Sequence, residues 1–330
     1  MASIAPGPLL VSDLAPAVVP ERAERVLRAL EYLESGFSSQ EGFASWTTDT
    51  VAFAQRKRAP TEYFSTMVVT QLLVDASQFS GVIERVRDFV LASCNSRGFV
   101  HFFADHELLP ADIDCTGVGH ALLFAIGQPH PDLPGIVDRL LHNVREDGVI
   151  EVYEQPAGDH GGRVDPCALV NALYLVFYVG REREAEPSLQ VVEDFLVSDA
   201  FEQGTRYYPS GDLFLYFLSR LLRDFERSHE RFLQPLHARL AARFGRPAST
   251  FEQATRVAAA DNVGLFDPDD LAQLVHDQQA DGSWPPGAFF KYGRATRYFG
   301  SEAVTTAFAL RALMAGPKLA PRRSWAPSAA

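Results

Sequence analysis

Cysteine is scarce in this chain: Cys94, Cys115 and Cys167 are the only three among 330 residues. An odd, sparse set does not form a disulfide framework and suits a reducing compartment, so a cytoplasmic location is expected. No run reaches the roughly 18 apolar residues that span a bilayer, so no transmembrane segment is expected. The first residues, MASIAPGPLLVSDLAPAVVPERAERV, put no basic cluster before the apolar ones, and a signal peptide is not expected. Basic charge is also short, with 30 Lys and Arg against 42 Asp and Glu and a net charge of −12. That balance disfavours nucleic acid or an anionic membrane as the main partner. Regular two-residue alternation is missing, so strand signals are weak. No Gly-rich phosphate loop and no Ser-His-Asp pattern stands out.

What is present is a weak repeat of about fifty residues, the kind of period that marks repeat architectures. An amphipathic helix comes first, a Gly-aromatic loop comes next, and a more apolar helix closes the unit. The amphipathic helices are expected near Glu21–Glu34, Val82–Ser93, Gly135–Val144, Leu189–Ser198, His229–Phe244 and Asp267–Gln279. The apolar helices are expected near Glu62–Ala76, Asp114–Ile126, Asp165–Val179, Asp212–Phe225, Thr250–Ala260 and Ser301–Met314. A stretch such as CALVNALYLVFYV is apolar nearly all round and must be buried on several sides, whereas ERAERVLRALEYLE has one wet face. Six outer and six inner helices closing into a ring explain both classes. The fold expected is all-α, a single (α/α)6 barrel over residues 19–316. Arms rich in Pro and Ala flank it at 1–18 and 317–330 and are expected to be flexible. An open helical solenoid fits the same pattern.

Residues 278–284 read QQADGSW, with Gln278, Gly282 and Trp284 matching QxxxGxW. This resembles the QW motif of squalene and oxidosqualene cyclases, where Gln and Trp tie neighbouring repeats together. YFGSEAVTTAFALRAL, at 298–313, looks like the inner helix that comes after it. Residues 110–120, PADIDCTGVGH, resemble two acid motifs of the same family. Asp112, Ile113 and Asp114 match DxDD of squalene-hopene and class II diterpene cyclases, with Cys115 in place of the last Asp. Asp114, Cys115 and Thr116 match DCT of oxidosqualene cyclases. The resemblance implies that Asp114 is a general acid that protonates an alkene or an epoxide, with Cys115 as its hydrogen-bond partner. Asp112, Asp165 and Cys167 are further candidates around it. The family's next residues, Ala-Glu, are replaced by Gly117-Val118, so nothing is carried over for that Glu.

Such chemistry is physically coherent. A carboxyl donates a proton at neutral pH only while protonated, and a dry apolar cavity favours that form. The carbocation formed by protonation needs aromatic faces rather than nucleophiles. The loops before the inner helices supply Trp46, Phe102, Phe103, Tyr153, Tyr208, Trp284, Tyr292, Tyr298 and Phe299, and Phe64 opens an inner helix. These are the candidate substrate-binding residues. Arg163, Arg206, Lys291, Arg294 and Arg297 lie near the same loops and are placed to meet an anion, or simply to be solvated.

Plainer readings stand beside these. Asp114, Asp165 and Asp212 all open inner helices, where Asp is a preferred cap, and Asp165-Pro166 has the form of a cap followed by Pro. Asp165-x-Cys167 resembles part of the zinc site of protein prenyltransferase β subunits, but the later His is absent, so no zinc and no other cofactor is expected. DPDD at 267–270 reads as a cap rather than a magnesium motif. The function expected is acid-initiated cyclisation or isomerisation of a small hydrophobic isoprenoid or meroterpenoid substrate, an epoxide being one form of it. A carbohydrate-active barrel using paired carboxylates from Asp112, Asp114, Asp165, Asp212 and Glu302, and a non-catalytic lipid-binding barrel, are the alternatives. A single barrel lacks the second one that encloses the cavity of triterpene cyclases, so the pocket is completed by a loop, by the second subunit of a homodimer, or not at all.

Overall fold

Five of the six apolar segments of the repeat open with a short polar residue, and the structure shows why. The computed structural model describes residues 20–75, 81–154 and 160–315; the expected arms at 1–18 and 317–330 lie outside the described residues. Twelve α-helices run in order: α1 (Pro20–Gly36), α2 (Phe64–Asp75), α3 (Gly81–Ala92), α4 (Ile113–Ala125), α5 (Leu133–His142), α6 (Pro166–Tyr178), α7 (Glu186–Val197), α8 (Gly211–Asp224), α9 (His229–Ala241), α10 (Thr250–Asn262), α11 (Pro268–Asp277) and α12 (Glu302–Leu313). The polar residues before the inner helices are caps. Asp112, Asp165, Ser210, Ser249 and Ser301 accept backbone N–H groups at the starts of α4, α6, α8, α10 and α12. Each such cap is worth about 1 kcal/mol. Asp212 is therefore not a cap: Ser210 fills that place, and Asp212 lies in the first turn, paired with Arg243 Nε at 2.6 Å.

Even-numbered helices form the inner ring. α2 packs on α4, α4 on α6, α6 on α8, α8 on α10, α10 on α12, and α12 returns to α2. That closure makes the fold an (α/α)6 toroid and excludes the open solenoid. Inner helices α4 and α6 are buried along nearly their whole length. Outer helix α5 buries only Leu133, Ile136, Val137 and Leu140, the three-and-four spacing of one helical face.

The QW motif closes the ring. Gln278 Nε2 donates to the carbonyl of Arg25 on α1 at 2.9 Å, and Arg28 Nη2 donates back to Gln278 Oε1 at 3.1 Å. Gly282 sits at φ +90°, where a Cβ would come within 2.3 Å of the Arg28 carbonyl oxygen, so only glycine fits this approach. Arg22 adds a bond to the carbonyls of Leu313 and Ala315 at the end of α12, each at 2.8 Å.

One element departs from the all-helical expectation. A four-stranded antiparallel sheet in the order β2-β1-β4-β3 is made by β1 (Trp46–Thr48), β2 (Lys57–Arg58), β3 (Phe290–Lys291) and β4 (Tyr298–Gly300). It joins the first unit to the last through Trp46 opposite Gly300 and Thr48 opposite Tyr298. Strands of two or three residues are too short to show alternation.

The N-terminal ends of the inner helices gather at one mouth. At the opposite end, buried ion pairs link Arg223 to Asp75 and Arg311 to Asp261, at 2.9 and 2.6 Å. Charges buried this way are tolerated because each is paired, and here they tie α2, α8, α10 and α12 together.

Candidate active site

The sequence PADIDCTG packs two aspartates into the start of one helix, and the structure separates their roles. Asp112 is the N-cap of α4: its Oδ1 accepts the Cys115 N–H at 2.7 Å. Asp114, two residues on, is left free of capping and lines a cavity of about 420 Å³ at the mouth of the barrel. Its carboxyl is met by donors from two other segments. Asn171 Nδ2, on α6, donates to Oδ1 at 2.7 Å, and the Tyr208 hydroxyl donates to Oδ2.

Asn171 reaches Asp114 because α4 and α6 nearly touch. A Cβ on Gly117 would stand 2.3 Å from the Asn171 carbonyl oxygen and 2.9 Å from the Ala172 nitrogen. The absence of a side chain at Gly117 is thus what allows the two helices to approach. Tyr208 arrives from the loop before α8. That loop is fixed in turn by the Thr205 N–H bond to the Tyr208 carbonyl at 2.7 Å.

Electrostatics favour a protonated acid. Burial, and then the neighbouring Asp112, push the Asp114 pKa up to about 8, against the pull of the Tyr208 and Asn171 hydrogen bonds. Asp112 is itself pushed up to about 6, mainly by burial. A carboxyl with the higher value holds its proton at neutral pH and faces the cavity with it.

The remaining walls are mostly apolar or aromatic: Phe64, Phe102, Leu109, Val152, Tyr153, Tyr207 and Phe290. Phe64 stacks near-parallel on Phe289 at 5.6 Å, and Phe102 meets Phe290 edge-on at 4.8 Å. Ring faces of this kind present negative potential without a nucleophile. Cationic groups, Arg163, Arg206, Lys291 and Arg294, line the same cavity.

Not every expected residue is brought to this cavity. Phe64, Phe102, Tyr153, Tyr208, Tyr292, Asp112, Asp114 and Cys115 line it. Trp284 does not: it is fully buried, with its indole N–H on the Leu274 carbonyl at 2.8 Å and its backbone N–H on Thr306 Oγ1 at 3.2 Å. It packs the last hairpin. Trp46 lies across the sheet, bonded to Glu302 Oε2 at 2.8 Å, with Arg56 and Arg58 over its ring. Phe103 and Phe299 line a separate hollow with Thr47, Lys57 and Arg297, and Tyr292 stands between the two spaces. Tyr298 pairs with Thr48 and Lys291 inside the sheet.

Burial, and then the neighbouring Asp112 and Asp114, push the Cys115 thiol well above its ordinary value, so it stays protonated beside both carboxyls. Burial likewise pushes the Cys167 thiol up. Asp165 is a cap, accepting from the Cys167 and Ala168 N–H groups at 3.0 and 3.4 Å, and both it and Cys167 are buried outside the cavity lining. Asp267 likewise caps α11 within DPDD. Asn171 is an addition to the expected residues. Its one signal in the sequence is a lone amide in the apolar run PCALVNALYLVFY.

No protein-family model matches the chain. In sequence it is similar to the drimenol cyclase drtB of Aspergillus calidoustus, 31% identical over 216 residues, which cover 64% of this chain and 39% of that protein. The chain thus spans about two fifths of the length of the curated relative it matches. In fold it is similar to a variant of the type II terpene cyclase MstE from Scytonema, solved in complex with geranylgeranyl dihydroxybenzoate. That likeness has a TM-score of 0.65 and 12% identity, covering 89% of this chain and 97% of the other. It is also similar to ent-copalyl diphosphate synthase from Streptomyces platensis, with a TM-score of 0.57 and 17% identity over 76% of this chain and 50% of that one. At these identities the solved structures establish the fold, the helical toroid of type II terpene cyclases.

Proposed function

We propose that this chain is an acid-initiated cyclase or isomerase of an isoprenoid or meroterpenoid substrate, with Asp114 as the proton donor. The observation that carries this reading is the position of Asp114. It is relieved of capping by Asp112, held by Asn171 and Tyr208, and turned into an aromatic cavity. Similarity to drimenol cyclase and the type II terpene cyclase fold support it from outside the site.

In the reaction, the Asp114 O–H bond breaks and a C–H bond forms at a terminal alkene, or an O–H bond at an epoxide with opening of its C–O bond. The carboxylate left behind keeps the Asn171 and Tyr208 donors, which stabilise the charge as it develops. Internal double bonds then attack the cation and close rings, while Phe64, Phe102, Tyr153 and Phe290 shield it from water. Loss of a proton from the final cation leaves a product isomeric with the substrate. The cavity volume lies within the usual range of about 300–1,000 Å³ for small-molecule sites and suits a short prenyl chain better than a triterpene.

The carbohydrate alternative needs a second carboxylate free to work opposite the first. Asp112 and Asp165 are committed to capping, Asp212 to Arg243, and Glu302 to Trp46 and Arg56. The test is incubation of purified protein with prenyl diphosphates and prenylated phenols, with products read by mass spectrometry. Wild-type protein gives cyclic isomers of one of these, and Asp114→Asn gives none. Full activity in a folded Asp114→Asn variant excludes the mechanism.

A further inference from the structure

A ring of six inner helices encloses a lumen, and the sequence fills it with aromatic rings. Phe64 opens α2, and Tyr208 precedes α8, which stands opposite α2 in the ring. Their rings meet across the lumen, 6.4 Å apart between centroids. Phe289, from the loop before α12, lies against both: near-parallel on Phe64 at 5.6 Å, and edge-on to Tyr208 at 6.4 Å. Beyond Phe289 the series goes on to Phe251 on α10 at 5.9 Å, then Phe308 on α12 at 5.6 Å, then Tyr216 on α8 at 4.8 Å. Tyr216 lies within the field of the Arg223–Asp75 ion pair at the far end of the barrel. All six rings are at most 2% exposed. Of the six, only Phe64 and Tyr208 line the cavity at the mouth.

Phe289 is fixed both by these ring contacts and by its loop. Its N–H donates to the Phe299 carbonyl on β4 at 2.8 Å. Two residues earlier, a Cβ on Gly287 would stand 2.4 Å from the Phe251 Cβ, so the loop presses directly on α10. Phe290, the next residue, lines the cavity. Neighbouring side chains of an extended segment point to opposite sides, which sends Phe289 into the lumen while Phe290 faces the mouth.

We infer that Phe64 and Phe289 determine the length of prenyl chain that the site accepts, because together they floor the cavity and close it off from the lumen. This rests on the proposed cyclase reading and adds the residues that set its selectivity. Asp114 fixes one end of the chain, the double bond that takes the proton. A hydrocarbon too long for the space of about 420 Å³ above the floor has two places to go. One is the mouth, where Arg206, Lys291 and Arg294 line the wall and apolar surface gains little by lying among charges. The other is the lumen, which is apolar but filled. Tyr208 stands at the same level, but its hydroxyl is committed to Asp114, so the two phenylalanines are the part of the floor that is free to differ without disturbing the acid. Removing the Phe289 ring leaves a void behind Phe64 that the neighbours fill only partly, and the floor drops.

The experiment measures the binding of geraniol, farnesol and geranylgeraniol by calorimetry in Asp114→Asn protein, alone and with a second substitution. Beside it, the ratio of kcat/KM for a longer over a shorter prenyl chain is measured in proteins that keep Asp114. Phe289→Ala moves the preferred length upward and raises that ratio roughly tenfold or more. Phe289→Leu, the milder change, moves it in the same direction. Phe308→Leu, two rings further down, lowers the melting temperature and leaves the preference where it was. A merely structural role for Phe289 would make the two positions behave alike. An unchanged preference in folded Phe289→Ala and Phe289→Leu, an equal shift in Phe308→Leu, or no binding of any prenol overturns the inference. Cyclic products from the wild type in that case leave the cyclase reading intact. A shift in prenol binding without cyclisation of any prenyl substrate supports the floor and removes the cyclase reading instead.

Discussion

Asp112 accepts the backbone N–H of Cys115 and so caps α4, while Asp114, one position before that cysteine, is left to face the cavity with Asn171 and Tyr208 on its oxygens. Two like residues in one helical turn thus differ in place: one caps the helix and the other lines the cavity, where the proposed chemistry needs it. The behaviour of the site with pH and on mutation depends on that division.

The first consequence is a pH dependence in both activity and stability. The folded pKa of Asp114 is about 8, against about 3.9 for an unfolded Asp. Its proton is held more tightly in the folded state, so its contribution to stability is full below the unfolded value. That contribution is lost progressively as pH rises towards about 8. Turnover requires the protonated form and falls through the same upper value. Asp114→Asn removes the buried charge, so it melts at least as high as wild type at alkaline pH while losing on the order of a hundredfold or more in kcat. Melting curves and initial rates across the pH range check both halves.

Tyr208 and Asp112 shift that profile in opposite directions. Tyr208 lowers the Asp114 pKa by hydrogen bonding, and the Asp112 charge raises it. Tyr208→Phe therefore moves the falling limb of the pH–rate profile upward, and Asp112→Asn, which retains an amide able to cap, moves it downward. Shifts in the same direction, or none, contradict the assigned electrostatics. Asp112→Ala also loses the cap, at a cost of about 1 kcal/mol in stability.

Gly117 makes a backbone prediction. A methyl at this position meets backbone atoms of α6 at 2.3 to 2.9 Å, which α6 can relieve only by moving away and taking Asn171 with it. Gly117→Ala is expected to cost about 1–3 kcal/mol, as overpacking does, and to lower kcat with little change in KM. Chemical denaturation and steady-state kinetics on the same preparation distinguish this from simple unfolding.

The helical pattern was legible because its cause is local: a segment apolar on all faces has to lie inside a ring. Asp114 was legible as the candidate acid because DxDCT is contiguous. The assignment of the cap was not, since either Asp112 or Asp114 satisfies the chemistry of a helix start. Asn171 and Tyr208 lie 57 and 94 residues from Asp114 in sequence, and only the packing of α4 against α6 and of the loop before α8 brings them there. Trp284 misled for a related reason. An aromatic residue before an inner helix has the same composition whether it lines a cavity or, as here, donates to the Leu274 carbonyl and packs a hairpin.

That placement separates the QW motif from the chemistry. Gln278 joins α1 to the last unit, and Trp284 fills the core beneath α12. Gln278→Ala is expected to destabilise the fold by about 1 kcal/mol, the usual cost of losing part-buried hydrogen bonds, while kcat below the melting transition stays near the wild-type value. A large loss of kcat in a fully folded Gln278→Ala protein would place the motif in the catalytic machinery instead.

The claim that Asp114 initiates the reaction by giving up a solvent-exchangeable proton is tested most directly in deuterium oxide. After a turnover in that solvent, mass spectrometry of the cyclised product should show one deuterium, carried on the former terminal alkene carbon or on the oxygen of an opened epoxide. An oxygen-bound label is measured before it can exchange. No labelled product should form with Asp114→Asn. A cyclised product without deuterium, or a labelled one made at full rate by Asp114→Asn, contradicts the account.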